Sequence, residues 1–473
     1  MRYSALMTDL YELTMLAGYF DEKMHDKPAI FDLFFRKAPF QGSYAVFAGL
    51  APALEYLEQL QFTGEDLDYL SSLGLFKPPF LEFLREFSFR GSVTAPPEGT
   101  VVFPTEPLLT VEGSLAEAQF VETALLNIIN FQTLVATKAA RLTTAAGPDS
   151  TVIEFGLRRA QGPDGGLSVA RGAAIGGVFG TSNVWGGQRH GIPVKGTHAH
   201  SWVMAFDEEL QAFRAYAECF PESCLLLVDT YDTLKSGMPN AITVAKELRE
   251  RGHEILGVRL DSGDLAYLSR EARRMFDEAG FPDAKIVASN ELDEHVIHSI
   301  RNEGGRVDIY GVGTKLATCH GKGGGALGGV YKLVHYAGKP RMKITSDMSK
   351  ATLPDRKNLW RVLEKSGDFH LDLITSDGEE PKPGDRVYDP ANPVRQKTLP
   401  HDAKFESPRR QGMQDGNICV ELSTLEQARD RCMDQLQRLP AGSLRLTNPH
   451  IYKVSISQKL HQLRDSLVAR HEP

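Results

Sequence analysis

The chain contains little cysteine, no long apolar run and no excess of positive charge, and each absence excludes a class of protein. Five cysteines among 473 residues form no CxxC pair, which argues against a disulfide framework or a cysteine zinc site and fits a reducing cytoplasm. No apolar run approaches the roughly 18 residues of a membrane span. Asp9 and Glu12 interrupt the region where a signal peptide would be apolar. A cytoplasmic globular protein is expected.

The charge balance also restricts the partners. The formal net charge is -8, so neither nucleic acid nor a membrane surface is expected as a partner, whereas a local basic pocket for a small anion is compatible with it. Hydrophobic residues make up 42% of the chain, which at this length is enough for two or three packed domains.

The pattern along the chain predicts three parts. Residues 1–145 combine short strands, such as Ala29 to Phe35, with a long helix that follows the capping-box pattern Ser114-x-x-Glu117. Residues 146–329 alternate strands and helices at about thirty residues per unit, which is typical of parallel βαβ repeats. In residues 330–473, Val330 to Val334 and Arg341 to Thr345 are expected to form a strand pair that Leu359 to Leu363 would extend. A loop-rich stretch and two closing helices follow, and this part is expected to fold back on the first part.

The middle part favours an α/β barrel over an open, doubly wound sheet. Polar or glycine-rich residues follow each of its predicted strands, so that all strand ends would contribute to one site, as in a barrel. An open sheet would instead place its ligand at a single switch point. The dinucleotide fingerprint GxGxxG after a first strand is also missing.

The residues at these strand ends suit a phosphorylated ligand. Gly311–Thr314 offers backbone N–H groups to a phosphate at a late strand, the usual phosphate position in barrel enzymes. Gly156–Arg159 carries two guanidinium groups that can clamp a phosphate or a pyrophosphate. Arg259 with Asp261 and Asp264 would serve an anionic substrate and a Mg²⁺ ion held largely through water.

The segment Thr197-His198-Ala199-His200-Ser201 is the most ambiguous of the strand ends. It follows the apolar run Gly191 to Val194 and precedes a helical pattern from Phe206 to Phe220, so it is expected on a loop after a strand. Two histidines one residue apart can bind a metal, act as a base or accept a phosphoryl group. A metal-dependent hydrolase would need further histidines at later strand ends, and the later strand ends lack them.

Eight ordered sequence blocks carry a resemblance to a known family. They are TDLYELTM, FFRKAPF, EFGLRRAQGPDGGLSVARGAAIGG, GTSNV, GTHAHSW, RLDSGDL, GVGTKLAT and GGVYKLV. In this order, across most of the chain, they resemble the nicotinate phosphoribosyltransferase family. The resemblance implies an irregular, incomplete α/β barrel with a second α/β domain formed by the N-terminal region and the C-terminal tail. It also implies a homodimer whose sites lie at the subunit interface.

The resemblance further implies a reaction. Nicotinate and phosphoribosyl pyrophosphate would give nicotinate mononucleotide and pyrophosphate, coupled to ATP hydrolysis, as the first step of NAD salvage from nicotinate. Mg²⁺ would accompany the phosphoribosyl pyrophosphate near Asp261 and Asp264. His200 would be the residue that ATP phosphorylates. Phe155 of one subunit and Tyr11 of the partner subunit would enclose the pyridine ring of nicotinate. Arg259 would pair with the nicotinate carboxylate.

Other roles follow from the same resemblance. Arg158 and Asp261 would bind the ribosyl pyrophosphate, and Gly313 and Thr314 the 5′-phosphate, with Gly311 beside them. The remaining residues expected to line the substrates are Asp9, Thr197, Ser182 and Ser201, and Ser289 is expected among the phosphate-binding residues.

Two positions bear on the choice of substrate. Ser182 stands where similar nicotinamide-using enzymes have an aspartate, and since aspartate would repel a carboxylate, serine favours the acid over the amide. Ser289-Asn290-Glu291 lacks the glycine-containing turn of some relatives, and its acidic residue disfavours a phosphate contact there. The alternatives are a nicotinamide or quinolinate phosphoribosyltransferase on the same fold, or a non-catalytic barrel that binds a metabolite.

Overall fold

The computed structural model describes residues 3–344, 352–392 and 394–470. The chain divides into two compact units. The first unit consists of Met1–Thr137 together with Lys322–Pro473, and the second unit is Lys138–Gly321. Within the described ranges no helix combines the length and the apolar character that crossing a membrane requires.

The N-terminal segment opens the first unit. Its helices and strands are α1 (Leu10–Asp21), β1 (Pro28–Phe35), β2 (Ala45–Val46), α2 (Leu50–Glu58), α3 (Gly64–Ser72), α4 (Pro78–Arg85), β3 (Ser92–Ala95), β4 (Val101–Val102), β5 (Leu109–Ser114), α5 (Leu115–Phe120) and α6 (Glu122–Ala146). The predicted capping box is confirmed, since Ser114 accepts from the N–H of Glu117 and the Glu117 carboxylate accepts from the N–H of Ser114. It caps the short helix α5, and the long helix predicted after the capping box is confirmed as α6.

The second unit alternates strands and helices as predicted. Its elements are β6 (Thr151–Glu154), α7 (Gly162–Ile175), β7 (Gly180–Thr181), α8 (Val184–His190), α9 (His200–Met204), α10 (Glu209–Cys219), β8 (Leu225–Leu227), α11 (Met238–Glu250), β9 (Gly257–Leu260), α12 (Leu265–Glu278), β10 (Lys285–Ser289), α13 (Glu294–Asn302), β11 (Ile309–Val312) and α14 (Thr314–Ala317). The strands form one sheet in the order β7-β6-β11-β10-β9-β8, and every neighbouring pair is parallel. All carboxyl ends therefore lie at one edge of the sheet.

The strands of this sheet are apolar along most of their length because residues on both faces are buried. Val152, Leu226, Val258 and Ile286 are almost fully excluded from solvent. A parallel sheet covered on both faces reads as a continuous apolar run rather than an alternating one. This explains why short runs of branched and aliphatic residues predicted the strands of the second unit.

The segment before His200 differs from its prediction. Residues 191–194 do not form a strand, and only Val194 makes an isolated parallel bridge, to Thr181. His200 and Ser201 begin the helix α9 instead of lying on a loop, and a second helix, α10, follows it. Gly191 ends α8 with a φ of 67°, the left-handed conformation that glycine adopts readily at helix ends.

The C-terminal segment returns to the first unit. Its elements are β12 (Gly329–Tyr336), β13 (Lys339–Pro340), β14 (Lys357–Leu363), β15 (Phe369–Ser376), β16 (Arg386–Tyr388), β17 (Gln396–Thr398), β18 (Lys404–Glu406), β19 (Arg410–Gln414), β20 (Asn417–Ile418), α15 (Leu425–Gln437), β21 (Val454–Ser457) and α16 (Gln458–Ala469). Strands β12 and β19 pair with β1 and β3, so both ends of the chain contribute to one sheet, in the order β13-β12-β1-β5-β3-β19-β20.

The strand β14 does not extend the sheet of β12, contrary to the prediction for residues 359–363. It lies in a separate sheet of order β17-β16-β21-β15-β14-β18. Across the β14–β15 pair the buried Arg361 guanidinium binds the Asp372 carboxylate at 2.7 Å. The strand predicted from Arg341 to Thr345 is not present over residues 341–344, and Thr345 lies outside the described residues.

Candidate active site

Four predicted residues meet at the carboxyl ends of the parallel strands. Arg259 lies within β9, and its Nε donates to Ser289 Oγ at 2.8 Å, while its Nη2 donates to Asp261 Oδ1 at 2.8 Å. The Ser289 hydroxyl donates to the same Asp261 oxygen. The Arg259 guanidinium carbon lies 5.7 Å from the centroid of the Phe155 ring. A cation, a carboxylate and an aromatic face thus share one small region.

The position of the Phe155 ring depends on Gly311. A Cβ atom at Gly311 would lie 2.4 Å from a carbon of that ring, which no packing tolerates. Gly311 lies inside β11, opposite Ile153 and Ser289, and not in the turn itself. Gly311 therefore makes room for Phe155, and the turn that follows β11 is formed by Gly313 and Thr314 at the start of α14.

The buried Glu154 holds the turn that carries Phe155. Its carboxylate accepts from the Gly156 N–H and from the Thr181 hydroxyl. Its backbone oxygen accepts from the Ser182 N–H at 2.8 Å. Burial raises the pKa of Glu154, and the two donors oppose that shift. The sequence suggested no role for Glu154, although an acid at the end of an otherwise apolar strand was the available signal.

His200 contacts a carboxylate that the sequence interpretation missed. Its Nε2 lies 3.2 Å from Asp229 Oδ1, and the His200 side chain is 40% exposed whereas that of Asp229 is 1% exposed. Asp229 Oδ2 accepts from the Asp261 N–H at 2.9 Å and from the Ser262 hydroxyl at 2.6 Å. Asp229 thus connects the histidine to the strand end that carries Asp261. Its signal was its place directly after a predicted strand.

His198 has a different environment from His200. It is buried, its Nε2 accepts from the Leu227 N–H at 3.2 Å, and its ring packs edge-on against Tyr216 at 4.7 Å. Burial lowers the pKa of His198, which favours the neutral ring that this accepted bond requires. The hydroxyl of the adjacent Thr197 donates to the Leu225 carbonyl. Thr197 and His198 therefore fasten the segment to β8.

Three further predicted residues lie at the same strand ends. Arg158 is exposed on the short 3₁₀ turn that follows β6, and Ser201 is exposed beside His200. Asp264 caps α12 by accepting from the Tyr267 N–H at 3.0 Å. Among the described residues, no three His, Cys, Asp or Glu side chains converge on a possible metal position.

Two predicted residues belong to the first unit. Asp9 occupies the N-cap position of α1 without a side-chain capping bond, and its Oδ2 accepts from the Thr123 hydroxyl at 3.1 Å. The Tyr11 side chain is 44% exposed. Together with residues of α6 and 325–327 they line a cavity of about 370 Å³.

The fold and the strand ends define a class of protein. Arginine, carboxylate, histidine and glycine residues at the carboxyl edge of a parallel α/β sheet are typical of enzymes that bind phosphorylated ligands. Family models match residues 6–130 (nicotinate phosphoribosyltransferase N-terminal domain), 150–367 (nicotinate phosphoribosyltransferase family) and 356–464 (nicotinate phosphoribosyltransferase C-terminal domain). The chain belongs to the nicotinate phosphoribosyltransferase family, as its motifs predicted.

Relatives at full length agree with this assignment. The nicotinate phosphoribosyltransferase of Bacillus subtilis is 44% identical over 98% of this chain and 96% of its own length. The human nicotinate phosphoribosyltransferase is 37% identical over 99% and 97%. The crystal structure of human nicotinic acid phosphoribosyltransferase matches with a TM-score of 0.87 at 35% identity, covering 97% of this chain and 99% of that one. The predicted mixed α/β fold with a parallel sheet is confirmed at this level.

Proposed function

We propose that this protein is a nicotinate phosphoribosyltransferase. It joins nicotinate to phosphoribosyl pyrophosphate, releases pyrophosphate and nicotinate mononucleotide, and hydrolyses ATP to ADP and phosphate, as the first step of NAD salvage from nicotinate. The observation that carries the proposal is the placement of Arg259 beside the Phe155 ring in a chain of this family. An aromatic face next to a guanidinium suits an aromatic carboxylate.

The pyridine ring would stack on Phe155 while its carboxylate pairs with Arg259. Tyr11 of the partner subunit would cover the opposite face of the ring, and the exposure of Tyr11 in this chain supports that role. Ser182 follows β7, and its N–H is fixed by the Glu154 backbone oxygen. A neutral hydroxyl at that position is compatible with a carboxylate on the substrate, whereas the negative charge of an aspartate would repel that carboxylate.

Phosphoribosyl pyrophosphate would lie along the neighbouring strand ends. The N–H groups after Gly313 and the Thr314 hydroxyl suit its 5′-phosphate, and the exposed Arg158 suits its pyrophosphate. Asp261 uses Oδ1 for Arg259 and Ser289, so Oδ2 is directed toward neither donor and can face a hydrated Mg²⁺. The cation would neutralise the pyrophosphate as it departs, while the chain's residues hold the pyridine nitrogen in line with the anomeric carbon.

His200 would accept the γ-phosphoryl group of ATP. Because Nε2 faces the Asp229 carboxylate, the proton resides on Nε2 and the lone pair of Nδ1 is left as the nucleophile. The bond from Nδ1 to phosphorus forms as the bond from phosphorus to the ADP oxygen breaks, and Asp229 stabilises the imidazolium. Water later cleaves the phosphohistidine to release phosphate. The 40% exposure of His200 supports access by ATP.

The parallel sheet is proposed to close as an irregular, incomplete barrel. Its edge strands are β7 and β8, and residues 193–198 contact both. The backbone of this segment exchanges hydrogen bonds with Thr181 of β7, while the side chains of Thr197 and His198 bond to the backbone of β8. Side chains would therefore replace part of a strand ladder at this closure.

The first unit, which is formed by both ends of the chain, is proposed as the second domain of the protein. The protein itself is proposed to be a cytoplasmic homodimer with its sites at the subunit interface.

The experiment that tests the function compares three substrates. Purified protein is supplied with phosphoribosyl pyrophosphate, Mg²⁺, ATP and either nicotinate, nicotinamide or quinolinate, and mononucleotide and pyrophosphate are quantified. Nicotinate should be used best. Equal or faster turnover of nicotinamide or quinolinate would assign that compound as the substrate instead of nicotinate. If no pyrophosphate is released with any of the three, a non-catalytic binding protein is favoured.

A variant at His200 tests the coupling separately. His200→Ala should abolish phosphohistidine formation and ATP stimulation while slow, uncoupled transfer remains. His253→Ala is the matched control, because His253 also contacts a carboxylate, Glu222, but lies before β9 at the opposite edge of the sheet. Wild-type stimulation by ATP in the His200 variant would contradict the role.

A further inference from the structure

An ion pair joins the ends of β10 and β11. Lys315 Nζ lies 3.4 Å from Glu291 Oε2. Lys315 directly follows Thr314, and Glu291 is two residues beyond Ser289, which contacts Arg259 and Asp261. A lysine ammonium is therefore held at the same strand ends as the predicted phosphate turn, by a carboxylate of the neighbouring strand end.

The turn that presents Glu291 has a strained backbone. Asn290 has a φ of 81° and Glu291 a φ of 47°, in the left-handed region. Asparagine tolerates this region, whereas glutamate adopts it only at a cost in free energy. Strain of this kind persists where the surroundings determine the backbone, and it is concentrated at ligand sites.

The chain on both sides of the turn is fixed. Before it, the Ser289 hydroxyl is bonded to Arg259 and Asp261. After it, Glu294 begins α13, is buried, and binds both Lys138 and Arg141 of α6, the latter at 2.9 Å. The fold thereby fixes the backbone of Glu291 beside Lys315, while the largely exposed side chain remains able to change its rotamer.

We propose that Lys315 is a further phosphate ligand for phosphoribosyl pyrophosphate, next to Gly313 and Thr314, and that Glu291 takes the place of the phosphate on Lys315 until the substrate binds. The proposal rests on the proposed function, because it takes phosphoribosyl pyrophosphate as the ligand. It also explains how an acidic residue at 291 is compatible with a phosphate site nearby.

The exposures of the two partners explain why the exchange is inexpensive. The Lys315 side chain is 22% exposed and that of Glu291 is 66% exposed. An ion pair with one largely hydrated partner stabilises a protein little, and 3.4 Å is longer than the usual 2.7–2.9 Å of a charge-assisted hydrogen bond. A phosphate carries up to two charges and three acceptor oxygens, so it competes well against a single hydrated carboxylate. Glu291 can then turn into solvent.

The test measures the KM and the Kd for phosphoribosyl pyrophosphate in the presence of Mg²⁺, by steady-state turnover and by calorimetry. Lys315→Met should raise both about 10- to 100-fold, as expected for loss of a charge-assisted bond, with little change in kcat. Lys315→Arg should restore most of the affinity. Glu291→Gln, which removes the competitor and keeps the turn, should lower the KM about two- to fivefold, since an exposed pair contributes little.

A matched control lies at the other end of the same strand. Lys285 begins β10 and pairs with Asp308 at 3.7 Å, so Lys285→Met removes a similar ion pair at the amino edge of the sheet. It should leave the KM unchanged.

The outcomes separate this proposal from the proposed function. An unchanged KM and Kd in Lys315→Met would overturn it even if the wild-type protein makes nicotinate mononucleotide, as would a higher KM in Glu291→Gln. If wild-type protein forms no product but Lys315→Met still weakens phosphoribosyl pyrophosphate binding, the function fails and the ligand assignment stands. If thermal unfolding shows that Lys315→Met does not fold, the KM of Glu291→Gln decides: a lower KM for phosphoribosyl pyrophosphate supports the proposal, and an unchanged or higher KM overturns it.

Discussion

Replacing Asp229 by Asn should slow the phosphorylation of His200 without unfolding the protein. In the proposed mechanism the carboxylate holds the proton on Nε2 of the histidine, which it faces at 3.2 Å. An amide NH₂ in its place would donate to Nε2 and so move the proton to Nδ1. The nucleophilic lone pair would then be lost. The amide oxygen can still accept from the Asp261 N–H and the Ser262 hydroxyl, so the strand ends stay connected.

The size of the effect follows from the lost interaction. A hydrogen bond to a charged group contributes about 1.5–3 kcal/mol, which corresponds to a decrease of about 10- to 150-fold in the rate. The assay is the transfer of radioactive γ-phosphate from ATP to an acid-labile protein adduct, followed in a single turnover. Uncoupled transfer in the absence of ATP should change little.

A control on the same loop sharpens this test. Asp232 lies three residues after Asp229 and caps the following helical turn by accepting from the N–H groups of Leu234 and Lys235. Because Asn serves equally well as a cap, His200 in the Asp232→Asn variant should be phosphorylated at the wild-type rate. Wild-type phosphorylation in Asp229→Asn would refute the assignment of Nδ1 as the nucleophile.

Three other perturbations test the remaining parts of the account. Arg259→Ala should raise the KM for nicotinate about 10- to 150-fold through loss of a charge-assisted bond, and an unchanged KM would place the carboxylate elsewhere. Gly311→Ala should displace the Phe155 ring, raising the KM for nicotinate and lowering the Tm, whereas Gly18→Ala, whose Cβ would meet no atom, should do neither. Burial raises the pKa of Glu12 to about 7, above the ordinary value of 4.5, so its stabilising protonated form is lost as pH rises through this window. Glu12→Gln should therefore have a higher Tm than wild type at pH 8 and the same Tm below pH 4.5, and equal values at both would contradict the buried protonated carboxyl.

The parallel sheet was predictable because its strands are buried on both faces. Apolar runs followed by polar residues located five of its six strands but missed the two-residue strand β7. The strand ends supplied Arg259, Asp261 and Ser289 as neighbours. The exact bounds were not predictable. The apolar run begins at Ile255, but strand β9 begins only at Gly257, where its ladder with Lys285 of β10 starts. Ile255 is buried without belonging to that ladder, so apolar character alone misplaces the strand.

Contacts between distant residues account for what sequence patterns missed. Asp229 acquires its importance from His200, 29 residues away, and from Asp261, 32 residues away. Gly311 was interpreted as part of a phosphate turn, whereas its packing against Phe155 arises only when β11 pairs with β6. The same limit applies to β14, whose partners β15 and β18 follow it in the chain and draw it away from the sheet of β12.

The measurement that bears most directly on the central claim is the simultaneous quantification of nicotinate mononucleotide and ADP. Wild-type protein is supplied with nicotinate, phosphoribosyl pyrophosphate, Mg²⁺ and ATP, and each substrate is omitted in turn. Mononucleotide should form only when nicotinate and phosphoribosyl pyrophosphate are both present, and its formation should be accompanied and accelerated by ATP hydrolysis. Formation of ADP without any mononucleotide, or mononucleotide formation at a rate that ATP does not change, would contradict the central claim.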